Sequence, residues 1–180
     1  MYSTSPPEYM VLERCNVALT ERAGSNAIRR SLLSIGAERV SAPNAPRGVE
    51  IKTYHFIRHP LVRFKSGIAI HPKGVEYATD LFLDHPTTAP PFLMLWSTYH
   101  QDELFPEGPS STSLSASRII PIRFDYINIV WGSLFNSPLH RINATRGEKK
   151  IYTLKYKADE VEAFLIPEMR IFDHLPPYQQ

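Results

Sequence analysis

Two short stretches of the chain hold residue types that together suit a phosphorylated ligand. In "FIRHPLVRFKSG", residues 56 to 67, Arg58 stands just before Pro60, and Arg63 and Ser66 follow within the next turns. A guanidinium offers paired N–H donors to phosphate oxygens and a serine hydroxyl adds a further contact, so Arg58 and Ser66 make a two-point grip on an anion. With Pro60 as the first residue of a helix, Leu61, Phe64 and Ile68 share one face, while Arg63 and Ser66 lie together on the opposite side. The same pattern also fits a surface helix with solvated arginines, and Arg63 in particular suits a pair with a nearby carboxylate.

The second stretch is "LTERAGSNAIRR". A turn of small residues, Ala23, Gly24, Ser25, Asn26 and Ala27, placed between a strand and a helix, exposes backbone N–H groups at the positive end of the helix dipole, a geometry that suits phosphate. Arg22 can bring the accompanying cation. A plainer role is equally open, with Ser25 capping the helix and Gly24 making the turn. GxxxxGK[ST] is absent, which disfavours ordinary P-loop ATP or GTP chemistry. A general base for an acceptor hydroxyl would be a histidine or a carboxylate. Glu21 in the loop and His71 after the helix are candidates, whereas His55, inside a strand, suits packing better.

These residues need elements to position them. The chain predicts a strand around residues 16 to 20, then a helix with Ile28, Leu32 and Ile35 on one face and Gly36 as its stop. "IKTYHFIRH" reads as a second strand leading into Pro60. "VEYATDLFLDH" and "PFLMLWSTYH" read as short helices, and "RIIPIRF" as a third strand whose proline suggests a sheet edge. "YINIVWGSLFN" reads as the helix after it, and "ADEVEAFLIPEMRIFDHL" as a last helix bent or split by Pro167. Trp96 and Trp131 suit the core. Strands alternating with helices predict an α/β fold, a single domain with a mainly parallel sheet flanked by helices. Ligands of such sheets bind outside the carboxyl ends of the strands, where both stretches fall.

Composition sets the outer bounds. A chain of 180 residues suits one compact domain, here expected over residues 13–180 behind a flexible leader at 1–12. The net charge of +2 and the scattered arginines argue against a nucleic-acid surface. One cysteine, Cys15, forms no internal disulfide and anchors no recognisable metal cluster, so no metal is expected. No apolar run reaches the roughly 20 residues that a membrane helix needs, and no secretory signal is evident, so a cytoplasmic location without membrane attachment is expected.

"FIRHPLVRFKSG" resembles the RxPxxRxxS segment with which sulfotransferases, above all the branch that holds the carbohydrate sulfotransferases, bind the 3′-phosphate of PAPS (3′-phosphoadenosine 5′-phosphosulfate). "ERAGSNA" lies where that family places its 5′-phosphosulfate loop, typically PKxGxTS. Weaker similarity continues through "YHQDELFP", "IPIRFDYINIVWGSLFN", "LHRINAT" and "MRIFDHLPPY", so that it spans roughly residues 16 to 178. The resemblance implies a P-loop-like sulfotransferase architecture and sulfuryl transfer from PAPS to a hydroxyl, on a small molecule or a glycan, with PAP as product. It implies a 5′ site made by Arg22 and the backbone of Ala23 to Ala27, and a 3′ site made by Arg58 and Ser66. His100 matches a recurrent family histidine and joins Glu21 as a candidate base, while His59 takes a structural place between the defining Arg58 and Pro60. Glu21 and Arg22 replace the family's Pro-Lys, Asn26 replaces its threonine, and the usual glutamate is missing from Ile129 to Trp131. Since arginine delivers its charge from a planar fork, its replacement of lysine bears on catalysis more than on binding. Two competing readings are a catalytically degenerate relative that binds nucleotides or other proteins, and a phosphoryl-transfer protein, against which the absent Walker lysine weighs.

Overall fold

The structure, a computed structural model, describes residues 8–19, 25–41, 51–85, 119–140 and 153–175. In chain order its elements are β1 (Glu8–Val11), β2 (Cys15–Leu19), α1 (Ser25–Leu33), β3 (Glu38–Ser41), β4 (Lys52–Ile57), α2 (Pro60–Ile68), α3 (Val75–Asp84), β5 (Ile119–Arg123), α4 (Ile127–Phe135) and α5 (Ala158–His174). A single 3-10 turn, Phe124–Tyr126, joins β5 to α4. The five strands form one sheet in the order β3-β1-β2-β4-β5.

This is an α/β fold, and its sheet is mixed. β2, β4 and β5 run parallel, Ala18 standing opposite His55 and Ile57 opposite Arg123. β1 is antiparallel to both β2 and β3, which corrects the expectation of a mainly parallel sheet. The leader expected over residues 1–12 is likewise corrected from residue 8 onward, because Glu8–Val11 lies inside the sheet with Met10 fully buried. The connection back to β2 is tight, the Leu12 N–H donating to the Cys15 carbonyl at 2.9 Å.

Alternation along the strands divides the sheet into two faces. Val17, Leu19, Phe56 and Ile122 point one way, into a core shared with Ile28 and Leu32 of α1 and with Ile127, Val130 and Trp131 of α4. Ile57 and Ile119 point the other way, toward Ile171, Phe172 and Leu175 at the end of α5. α2, α3 and α5 are held to one another by Phe64, Ile68, Ala78, Phe82, Val161 and Leu165. Helices therefore cover both faces.

Local chemistry explains where the elements stop. α1 ends in a Schellman arrangement: the Ala37 N–H donates to the Leu32 carbonyl at 3.0 Å and the Gly36 N–H to the Leu33 carbonyl at 3.2 Å, with Gly36 at φ +89°. The expected stop at Gly36 is observed, although Ile35 stands in the exposed turn after the helix rather than on its buried face. Pro60 opens α2 as expected, and β5, with Pro121 inside it, is an edge strand among the described residues. Pro167 does not split the last helix, which continues over Ala158–His174. Pro167 and Ala163 both lie on the exposed side, so the carbonyl that loses its N–H partner can be hydrated. The helix expected from "PFLMLWSTYH" lies outside the described residues. No helix among the described residues is long and apolar enough to cross a membrane.

Candidate functional site

β2 and β4 are hydrogen-bonded parallel neighbours, and each is followed by a helix, α1 and α2 respectively. In a parallel pair the carboxyl ends lie at the same rim, so β2, which precedes α1, and β4, which precedes the turn at Arg58, end at one end of the sheet. Ser25, Asn26 and Ala27 form the first turn of α1, where backbone N–H groups have no partner within the helix. Neither α1 nor α2 carries an acidic residue in its first turn, whereas α3 has Glu76 and α5 has Asp159 and Glu160 there. The positive ends of the two rim helices are thus not compensated by carboxylates of their own first turns.

Arg58 directly follows β4 and is half-buried; Ser66 lies on α2, also half-buried. Both are engaged with neighbouring groups. Arg63, expected on the side of α2 away from the core, is instead 5% exposed. The buried residues of α2 are Pro60, Arg63, Phe64, Gly67 and Ile68, which is the i, i+3, i+4, i+7, i+8 stripe of a helix packed along one side. Arg63 occupies the i+3 place in that stripe, and Glu168, 4% exposed, is the buried carboxylate of α5, which packs on α2. Arg63 therefore belongs to the packing of the helices.

The first turn of α1 is tied back to the sheet. Arg29 donates from Nη1 to Asn26 Oδ1 at 2.7 Å, and from Nε and Nη2 to the two oxygens of Glu8 at 2.8 and 3.1 Å. Arg39 of β3 reaches the same Glu8 carboxylate at 2.8 Å. Because a guanidinium only donates, it fixes which end of the Asn26 amide is the oxygen.

Arg123 is a rim cation that the sequence reading passed over. It ends β5 opposite Ile57, its Nη2 pairs with Asp125 at 2.8 Å, and its guanidinium carbon stands 4.4 Å from the centre of the Phe172 ring. The signal was available: Arg123 closes a parallel strand much as Arg58 follows one. Among the proposed bases, His55 is fully buried within β4, and His71 is 5% exposed with its Nδ1 accepting the Lys73 N–H at 3.2 Å. Burial, with the nearby Lys73 charge, pushes the His71 pKa down. His59 packs against Phe172.

Glu21, Arg22, Ala23, Gly24 and His100 lie outside the described residues. No group of three or more His, Cys, Asp or Glu among the described residues is placed to hold a metal ion. What the molecule defines by itself is an α/β fold with one mixed sheet whose parallel strands lead into helices at a common rim. Compared with family models, with curated proteins and with solved structures, the chain matches none.

Proposed function

We propose that the chain is a PAPS-dependent sulfotransferase that passes a sulfuryl group to a hydroxyl acceptor, with carbohydrates among the first acceptors to test. The observation that supports this reading is the parallel pairing of β2 and β4, whose carboxyl ends, followed in the chain by α1 and by the Arg58 turn, lie at one end of the sheet. A nucleotide with phosphates on both its 5′ and 3′ sides needs two such anion sites close together.

The residues fit that requirement in type. The N–H groups of the first turn of α1, together with Ala23, Gly24 and Arg22, would hold the 5′ side, and Arg58 with Ser66 the 3′-phosphate. When bound, PAPS supplies an activated sulfuryl group whose departure leaves PAP. The protein's task is to align an acceptor hydroxyl with the sulfur, to stabilise charge gathering on the transferring oxygens, and to take up the hydroxyl proton. Arg22 is the cation for the second task, and His100 or Glu21 the base for the third.

A second reading, a degenerate relative that binds without transferring, is favoured by one observation: Asn26, in place of the family's threonine, is tied to Arg29 and through it to Glu8. Incubation with PAPS carrying labelled sulfate and a panel of hydroxyl acceptors separates the two. Label transfer that is lost in Arg22→Ala and Arg58→Ala supports the enzyme; PAP binding with no transfer to any acceptor, and no slow hydrolysis of PAPS, supports the binding protein.

A further inference from the structure

Phe172, near the end of α5, is 1% exposed, and its ring meets two side chains from the carboxyl ends of β4 and β5. His59 meets it edge-on, with ring centres 5.2 Å apart at 73°, and the Arg123 guanidinium carbon stands 4.4 Å from its centre. Arg123 is itself seated by Asp125 at 2.8 Å and lies 5.6 Å from the Tyr126 ring.

His59 is also the residue from which α2 begins. Its carbonyl accepts the Arg63 N–H at 2.9 Å, while its side chain makes no capping hydrogen bond and its buried Nδ1 has no hydrogen-bond partner among the described residues. Among the described residues, Phe172 is the ring against which this imidazole packs. Arg58 immediately precedes His59, and Ser66 lies on the helix that His59 opens.

We propose that Phe172 is a positioning residue for the anion site: its ring fixes His59, and through His59 the aim of Arg58 and the origin of α2. The last helix thereby governs anion affinity without touching the anion. This rests on the reading of Arg58 and Ser66 as a phosphate grip.

The test is calorimetry of the full chain with PAP, together with hydrogen exchange at the Arg63 amide, which reports the first turn of α2. Phe172→Leu keeps apolar bulk and removes the ring; PAP affinity is expected to fall roughly 3- to 10-fold, the size of an aromatic edge contact, with faster exchange at Arg63. Leu175→Ala, in the same apolar cluster, is expected to lower the melting temperature while leaving PAP affinity unchanged well below that temperature. Should Phe172→Leu fail to fold, His59→Leu removes the contact from the other side and is expected to give the same loss. Wild-type affinity in either folded variant overturns the proposal, as does an equal loss in Leu175→Ala. A wild-type chain that ignores PAP removes the phosphate grip and this inference with it, whereas wild-type binding with unaffected variants removes the inference alone.

Discussion

Arg58 and Arg63 belong to one short motif, yet the structure gives them different work, and substituting each by alanine separates the two. Arg63 sits in the buried stripe of α2 at 5% exposure and is engaged by neighbouring groups. Removing one partner of a buried, engaged charge typically costs about 3 to 5 kcal/mol, because the group left behind stays buried without compensation. For a domain of this size each kcal/mol moves the melting temperature by about 2 to 4 °C, so Arg63→Ala should lower it by about 6 to 20 °C. Arg58 is half-buried at a strand end, and Arg58→Ala should cost about 1 kcal/mol or less in stability. Its loss from a phosphate site should instead weaken PAP roughly 10- to 100-fold, the worth of charge-assisted hydrogen bonds. Thermal unfolding followed by circular dichroism, with calorimetric titration of PAP at a temperature where both variants are folded, measures the two quantities separately. An Arg63→Ala variant that melts like wild type while losing PAP, or an Arg58→Ala variant that loses as much stability as Arg63→Ala, would refute this division of roles.

Three further expectations concern other parts of the scaffold. His71 has its pKa pushed below the ordinary histidine range by burial and then by Lys73, so the unfolded chain takes up the proton first: stability is full above about pH 6.5 and declines as the pH falls below it. His71→Asn, which keeps an acceptor for the Lys73 N–H, should flatten that acid slope in melting temperature; an unchanged slope contradicts it. Glu8→Gln weakens a carboxylate shared by Arg29 and Arg39 and should cost about 1 to 2 kcal/mol, between an exposed pair and a buried one. It should also shift the Asn26 side-chain amide signals in NMR, and signals that stay in place would mean that Arg29 does not hold Asn26. Asp80 accepts from Lys157 at 2.9 Å and from Tyr156 at 3.2 Å, and the Lys157 hydrogen bond holds its carboxyl below the usual range. The stability it adds is present above its unfolded value near pH 4 and is lost as the pH falls through the lowered one, so Asp80→Asn should lower the melting point near neutrality and narrow the gap to wild type in acid.

Much of the scaffold was readable because single residues carry strong local constraints. Gly36 announces the end of α1 through its positive φ, Pro60 the first turn of α2 through its fixed φ, and Pro121 an edge strand through its missing N–H. β1 and β3 escaped notice for the opposite reason. "EYMV" and "ERVS" are too short to establish alternation, and their charged residues are accommodated by distant partners, Glu8 by Arg29 on α1 and by Arg39 on β3 itself. Strand direction was equally hidden, since the reversal between β1 and β2 rests on Leu12 to Arg14, which carry neither glycine nor proline.

At the candidate site, residue type was legible and burial was not. Arg63 looked like a surface cation because arginine is mostly exposed, while its i+3 spacing from Pro60 already placed it in the stripe that α5 covers. Phe172 looked like one more apolar residue of a helix, and its contacts with His59 and Arg123 arise only when α5 meets the ends of β4 and β5. That β2 and β4 are neighbours is a matter of strand order, which no local pattern encodes, and it is the relation on which the two-ended site depends.

The measurement that tests this most directly is the affinity of the full chain for PAP set beside its affinities for 5′-AMP and 3′-AMP, in wild type and in Arg58→Ala. If one nucleotide is held at both ends, PAP binds tighter than either monophosphate, and its advantage over 5′-AMP vanishes in Arg58→Ala while 5′-AMP binding is retained. Equal binding of PAP and 5′-AMP by the wild type, or a PAP advantage that survives without Arg58, would contradict the account.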